Sequence, residues 1–222
     1  MAGAKPKICV AIVNDNMAAV KRVEPLTDLF EVRIDLIGEG WQDVAGQLGK
    51  PWLATNRRKE EGGNWQWSEA ERIDELLKAL DLGASIIDIE LRSPDVRAVV
   101  EKVKGRAECL VSYHDFEKTP PPDELRYIIL RQQDAGADIC KLVTTARAFS
   151  DNLAVLRLIK DFPEIKVVSF AMGEAGRISR VLSPLAGGYF TFASAETGNE
   201  SAPGQVTAEE IHDLYRLMGY DK

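Results

Sequence analysis

Ala137-Asp138-Ile139-Cys140-Lys141-Leu142-Val143-Thr144 is an apolar, strand-forming run with a lysine in its middle, and its reading decides the fold. Successive residues of a strand face opposite sides, so Lys141 shares a side with Ile139 and Val143 while Cys140 and Leu142 take the other. An ammonium in such a setting is costly unless its head reaches water at the strand end, pairs with a carboxylate, or serves a purpose. Desolvation disfavours a charged amine, and a neutral amine can attack a carbonyl to form an imine. The strand is therefore expected to carry either a paired charge or a nucleophile.

Outward from that strand the same unit repeats. Apolar runs at Lys7–Val13, Phe30–Ile37, Trp52–Arg57, Ser85–Leu91, Cys109–Asp115, Lys166–Met172 and Tyr189–Ala193 read as seven further strands. Helical patterns lie between most of them. Ser68 with Glu71 forms a capping box ahead of Ile73, Leu76, Leu77 and Leu80; Ser93-Pro94 reads as a cap and first-turn proline before Val96, Val99, Val100 and Val103. Leu125, Ile128, Ile129 and Gln132 share a face between Asp123 and Ala135, a helix is expected over about 151–160, and Thr207 with Glu210 caps the last one. Eight strands spaced 22 to 33 residues apart imply a single (β/α)8 TIM barrel over residues 1–222. An open doubly wound sheet is the alternative, but no glycine-rich phosphate fingerprint follows the first strand. Residues 194–205, rich in Ser, Gly, Glu and Pro, are long for a connection and read as a lid loop.

A net charge of -7 argues against nucleic acid or an anionic membrane as partner, since both demand a basic face. A small anionic substrate held by a local arginine is compatible with it. Cys9, Cys109 and Cys140 have no metal-ligand spacing and fall in apolar runs, which suits reduced thiols and a cytoplasmic protein. The apolar run ending at Val13 is too short for a signal core or a membrane span. No disulfide and no zinc site is expected.

In such a barrel the chemistry gathers at the C-terminal ends of the strands. The unusual polar residues sort to those ends: Glu31 and Arg33 on the second strand, Arg57 after the third, Asp88 and Glu90 on the fourth, His114 on the fifth and Lys141 on the sixth. His114 shares its side with Leu110 and Ser112, as an inward residue should. His212 lies on the last helix, where a surface role is expected, so His114 is the one histidine placed to act as a general base.

The run Ser112-Tyr113-His114-Asp115-Phe116-Glu117-Lys118-Thr119-Pro120 resembles the histidine motif of the type I 3-dehydroquinate dehydratases, the Schiff-base class of the shikimate pathway. Glu31-Val32-Arg33-Ile34-Asp35, Arg57 to Gly63, Ala137 to Lys141, Ile178-Ser179-Arg180 and Ser201-Ala202-Pro203-Gly204-Gln205 are similar to its other signatures, in order. The resemblance implies a cofactor-free lyase, a homodimer, that converts 3-dehydroquinate to 3-dehydroshikimate, the third step of chorismate and aromatic amino acid biosynthesis. It implies that Lys141 forms an imine with the C3 ketone, that His114 removes the C2 proton and protonates the leaving C1 hydroxyl, and that Glu61 orients His114. It further implies that Arg180 clamps the substrate carboxylate, that Glu31, Arg33 and Arg57 meet the ring hydroxyls, and that Ser201 and Gln205 close over the substrate.

Several assignments stay open at this level. Arg57 rather than Arg58 rests on a four-residue gap to Glu61, and Asp88 competes with Glu61 for the histidine. Asp115 is read as structural and Arg177 as a surface charge. A class I aldolase is the enzymatic rival, although the loop after the eighth strand carries Glu196 and Glu200 with no lysine or arginine and makes a poor phosphate cradle. A barrel that binds a ligand without turnover is the non-enzymatic rival.

Overall fold

Eight short runs of β-branched and aromatic residues pair in parallel, each joined to the next by a segment that returns along the outside. The computed structural model describes residues 5–220. The strands are β1 Ile8–Ile12, β2 Leu29–Arg33, β3 Trp52–Thr55, β4 Ile86–Glu90, β5 Glu108–His114, β6 Ile139–Thr145, β7 Lys166–Met172 and β8 Thr191–Ser194. Helices among the described residues are α1 Met17–Val23, α2 Ile34–Ile37, α3 Trp41–Ala45, α4 Glu69–Asp81, α5 Val96–Val103, α6 Pro122–Asp134, α7 Phe149–Asp161, α8 Arg177–Leu185 and α9 Ala208–Leu217. Sequential strands are neighbours and β8 returns to β1, giving the expected (β/α)8 TIM barrel. The ring is loosest between β7 and β8, where Tyr189 N–H donates to the Val167 carbonyl and Phe170 meets Phe192 edge-on.

Strand parity separates two cores. Inward-facing residues such as Cys9, Leu29, Leu53, Ile86, Leu110 and Ile139 fill the lower barrel, while outward-facing Val10, Phe30, Ile87, Val111 and Leu142 pack beneath the helices. Because the interior is plugged below by apolar side chains, inward residues one or two steps further along each strand sit near the C-terminal rim. Glu31, Asp88, Ser112 and Lys141 occupy those steps.

Two local expectations change. β2 ends at Arg33 rather than running to Ile37, because Ile34-Asp35-Leu36-Ile37 turns into the one-turn α2, closed by Gly38 at φ 72. Ser93-Pro94 does not start α5; Asp95 at φ 54 precedes it, and the Ser93 hydroxyl instead donates to Glu90 and accepts from Arg72. The capping boxes at Ser68 and Thr207 are present.

The β3–α4 loop is fixed from several sides. Asp35 accepts the Asn64 N–H, and buried Arg72 on α4 donates to the Asn56 carbonyl. Gly63 lies against the Arg57 backbone so closely that an added Cβ would stand 1.9 Å from the Arg57 carbonyl oxygen. At Gly46, by contrast, φ is -64 and the nearest atom to such a carbon is 3.4 Å away. Gly63→Ala should therefore destabilise the protein by about 1–3 kcal/mol, as overpacking does. Gly46→Ala should be neutral or stabilising by about 0.4–1 kcal/mol, through the unfolded chain. Urea unfolding midpoints of the two variants read the opposite signs.

Candidate active site

A cavity of about 110 Å³ opens at the C-terminal rim, lined by Glu31, Arg33, Arg57, Glu61, His114, Lys141, Arg180, Ser201 and Gln205. They are the nine residues to which the resemblance gave catalytic or binding parts; Asp88 and Glu90, which the sequence also sorted to the strand ends, are buried but do not line the cavity. Sequence reasoning did not name the apolar part of the wall, formed by Val143, Phe170, Met172, Phe192 and Phe116. Strand parity holds the signal for the first four, since Val143 lies two residues beyond Lys141 on β6 and Phe170, Met172 and Phe192 face the lower core.

Lys141 is buried, and its Nζ lies 3.1 Å from Asp88 Oδ2, 3.9 Å from Glu31 Oε1 and 4.3 Å from the centre of the Phe192 ring. Register puts it beside Ser112 of β5. Gln132 on α6 sits behind the strand and donates from Nε2 to the Lys141 carbonyl at 2.7 Å and to the Val111 carbonyl at 3.0 Å. The residue that sequence spacing placed on an apolar helix face thus clamps the backbone that carries the lysine.

Asp88 collects the cations. Its oxygens accept from Arg57 Nη1 at 3.0 Å and Nη2 at 2.5 Å, from the Ser112 hydroxyl at 2.6 Å and from Lys141. Burial alone would raise its pKa; Arg57 and then Lys141 reverse that and hold it well below the usual carboxylate range. Arg57 also donates to Glu90 Oε1 at 2.9 Å and to Ser112 Oγ at 2.7 Å. Glu90 is shared with the guanidinium of Arg72, 2.9 Å away. Arg33 is paired bidentately with Asp35 at 2.9 and 2.7 Å, and Glu31 accepts from Thr55 Oγ1. Arg58 turns outward to Glu60, Glu69 and the Arg92 carbonyl, so Arg57 is the arginine of the cavity.

His114 ends β5 and is held from its Nδ1 side. Glu61 Oε2 lies 2.9 Å from Nδ1 and accepts the His114 backbone N–H at 3.1 Å. Asp88 makes no hydrogen bond to the ring, its acceptors being taken by Arg57, Ser112 and Lys141. Burial pushes the imidazole pKa well below its ordinary value, with Arg57 and Lys141 adding to the effect and Asp88 opposing it. Glu61 moves the other way. Burial raises its carboxyl to about 7, against Arg57 and Arg92 and with the help of Glu90 and Asp88. Neutral His114 beside an ionised Glu61 must donate from Nδ1, which leaves the Nε2 lone pair free.

Arg180 on α8 differs from the other buried arginines in having no carboxylate. Its Nε is buried without a partner, its Nη2 donates to the Pro203 carbonyl at 3.3 Å, and its guanidinium carbon lies 4.5 Å from the centre of the Phe170 ring. Burial alone lowers its pKa to about 10. The 201–205 segment lies over the cavity: Ser201 N–H and Oγ donate to Gln205 Oε1 at 2.7 and 3.2 Å, and the Pro203 carbonyl accepts from Gly173 N–H and Arg180. Asp115 caps the following turn through the Glu117 and Lys118 N–H groups, and Arg177 is exposed.

A buried amine, a neutral imidazole with one nitrogen free and a guanidinium lacking its anion suit chemistry on a small carbonyl acid. Known proteins point to the same chemistry. The family model described as type I 3-dehydroquinase matches residues 8–222. A 3-dehydroquinate dehydratase of Dehalococcoides mccartyi is 41% identical over 97% of each chain, and one of Methanocaldococcus jannaschii is 35% identical over 95% of this chain and 98% of its own. The crystal structure of a type I 3-dehydroquinate dehydratase from Clostridium difficile with covalently modified comenic acid superposes with a TM-score of 0.86 at 26% identity, covering 99% of this chain and 94% of its own. No helix of the described residues is long and apolar enough to cross a membrane. With a match that spans the barrel from β1 to its end, and relatives of one activity at this level of identity, the chain belongs to the type I 3-dehydroquinase family of 3-dehydroquinate dehydratases.

Proposed function

We propose that this enzyme dehydrates 3-dehydroquinate to 3-dehydroshikimate, the third step of chorismate biosynthesis, through a covalent imine on Lys141. The observation that carries the reading is the presence, in one cavity, of the Lys141 amine and of an Arg180 guanidinium that has no carboxylate of its own. The substrate carboxylate supplies that missing anion in a bidentate pair, which fixes the ring and brings the C3 ketone to Lys141.

The Lys141 amine adds to C3, and loss of water from the carbinolamine leaves an iminium. That cation occupies the place of the ammonium, so the attraction to Asp88 carries over to the intermediate. His114 takes the C2 proton at Nε2, and the C2–H electron pair moves into the iminium to give an enamine. The enamine returns the pair as the C1–O bond breaks, and His114 delivers its proton to the departing hydroxyl, which leaves as water. Hydrolysis of the conjugated imine frees the amine, with one water lost overall. Glu61 accepts from Nδ1 and favours the transient imidazolium. Glu31, Arg33 and Arg57 meet the ring hydroxyls, Arg57 with few free donors because Asp88, Glu90 and Ser112 occupy most of them. Ser201 and Gln205 belong to a lid over residues 194–205 that excludes water from the iminium. The reading includes a single catalytic domain, a homodimer and a cytoplasmic enzyme; three buried, unpaired cysteines support the last.

Incubation with 3-dehydroquinate should raise enone absorbance, and borohydride should then fix the ligand to Lys141, located by peptide mapping; a protein left unmodified and without turnover would sink the proposal. Lys141→Ala should lose both signals. Arg180→Lys keeps the charge but not the paired donors, and should raise KM about ten- to a hundred-fold, since a hydrogen bond to a charged group contributes roughly 1.5–3 kcal/mol.

Protonation of Glu61 lets it donate to Nδ1, which moves the ring proton to Nε2 and removes the base. The kcat/KM profile should therefore fall on acidification through about pH 7, where Glu61 of the free enzyme titrates. Glu61→Gln should abolish that limb while lowering kcat at its plateau.

A further inference from the structure

The loop after β4 carries one charged side chain that is neither in the cavity nor free. Arg92 is about half exposed, and its guanidinium carbon lies 4.0 Å from the centre of the Tyr113 ring. Nη2 donates to the Tyr113 hydroxyl at 2.5 Å, and Nη1 donates to the His114 carbonyl at 3.3 Å. The Arg92 carbonyl in turn accepts from Arg58, three residues before Glu61. Arg92 is thus tied at once to the end of β5, which carries His114, and to the β3–α4 loop, which carries Glu61. Three separate contacts give a long, exposed side chain one location.

That location faces an unsatisfied atom. Glu61 uses Oε2 for both bonds to His114, whereas its buried Oε1 has no hydrogen-bond partner. Arg92 Nη1 is 3.9 Å from Oε1. We propose that Arg92 is a positioning residue for the dehydration: its guanidinium, seated on Tyr113, supplies the outer counter-charge that keeps Glu61 an acceptor for His114 Nδ1. The inference rests on the catalytic reading of Glu61 and His114 given above. Arg92 does not touch the substrate cavity, so it acts only through that pair.

The groups around the pair decide the sign. Glu61 is faced by Arg57 from its own loop, by Asp88 and Glu90 from β4, by Arg92 and by His114; His114 is also faced by Lys141 and Arg33 across the cavity. Arg57 is neutralised by two carboxylates, so Arg92 is the cation near Glu61 whose removal leaves no bonded carboxylate behind. Loss of its charge favours protonation of Glu61 and also of His114. Both changes remove the base, and both move the acidic limb to higher pH.

The test is a charge series at position 92, read as pH profiles of kcat/KM, with kcat and KM also recorded separately at each pH. Arg92→Lys should stay close to the parent. Arg92→Gln should move the acidic limb up by roughly half a pH unit or more, a fraction of the effect of a fully buried charge because the guanidinium is half exposed. Arg92→Glu should move it further, with KM at the plateau nearly unchanged throughout. Superposable profiles across the series would overturn the proposal, and so would a uniform loss of kcat with no displacement of the limb, the mark of a merely structural residue. Because the site is exposed, folding should survive all three changes; in the parent itself, added salt should displace the limb in the same direction, and a limb that ignores salt counts against the idea. Absence of turnover in the parent would strike the catalytic reading instead, so the two failures are distinct.

Discussion

Asp88 is the group on which the arrangement of the barrel mouth depends. One carboxylate accepts from Arg57, Ser112 and Lys141, and thereby ties the β3–α4 loop, β4, β5 and β6 together at the mouth of the interior. Without it two cations would face each other in a space closed below by apolar side chains. Removing one partner of a buried ion pair costs about 3–5 kcal/mol, because the remaining charge is left without compensation. The same network extends outward through Glu90 to Arg72 and from there to Glu69 on the surface of α4. Charge enters the barrel interior along that chain of alternating signs, each member ion-paired with the next.

Against that well-satisfied background, the proposed mechanism rests on the exceptions. Arg180 Nε and Glu61 Oε1 are buried and unbonded in a site where nearly every other charged atom is paired. In the proposed mechanism the guanidinium binds the substrate carboxylate, and the carboxylate oxygen beside the imidazole leaves the proton affinity of the pair adjustable. Filling either vacancy with an internal partner would add stability and remove a handle on the substrate or the proton.

Strand parity made the interior legible. Ile86-Asp88-Glu90, Leu110-Ser112-His114 and Ile139-Lys141-Val143 alternate cleanly, and register then brings them to one level, so residues far apart in sequence could be grouped before any contact was known. The grouping fails where the chain leaves the strands. Asp35 reads as a third inward residue of β2, yet the backbone has already turned into α2, and Asp35 becomes the partner of Arg33 instead. Ser93 has the composition of a cap but is drawn away by Glu90 and Arg72, which lie next to it only in space. Arg92 carried no signal, since its meaning depends on a ring in the next strand and a carboxylate in the previous loop. Local patterns encode which face a residue takes, not which of several nearby charges it answers to.

Glu61 and Asp88 show how far that last distinction reaches. Both are carboxylates, both are buried, and both lie within reach of Arg57 at the mouth of the barrel. Burial pushes each toward the neutral form, so the difference lies in the cations within bonding distance. Asp88 has a bidentate arginine and a lysine, which overwhelm desolvation and fix it as a permanent anion. Glu61 has a neutral ring and a backbone N–H within bonding distance, and cations only beyond it, so desolvation prevails and its titration falls near neutrality. Two environments, one on β4 and one on the loop before α4, thus divide one functional group into two parts, a fixed charge that on the proposed mechanism balances a cationic intermediate and a titrating partner that sets which ring nitrogen holds the proton. A barrel of parallel strands lends itself to this division, because each strand end presents its side chain to a different set of neighbours.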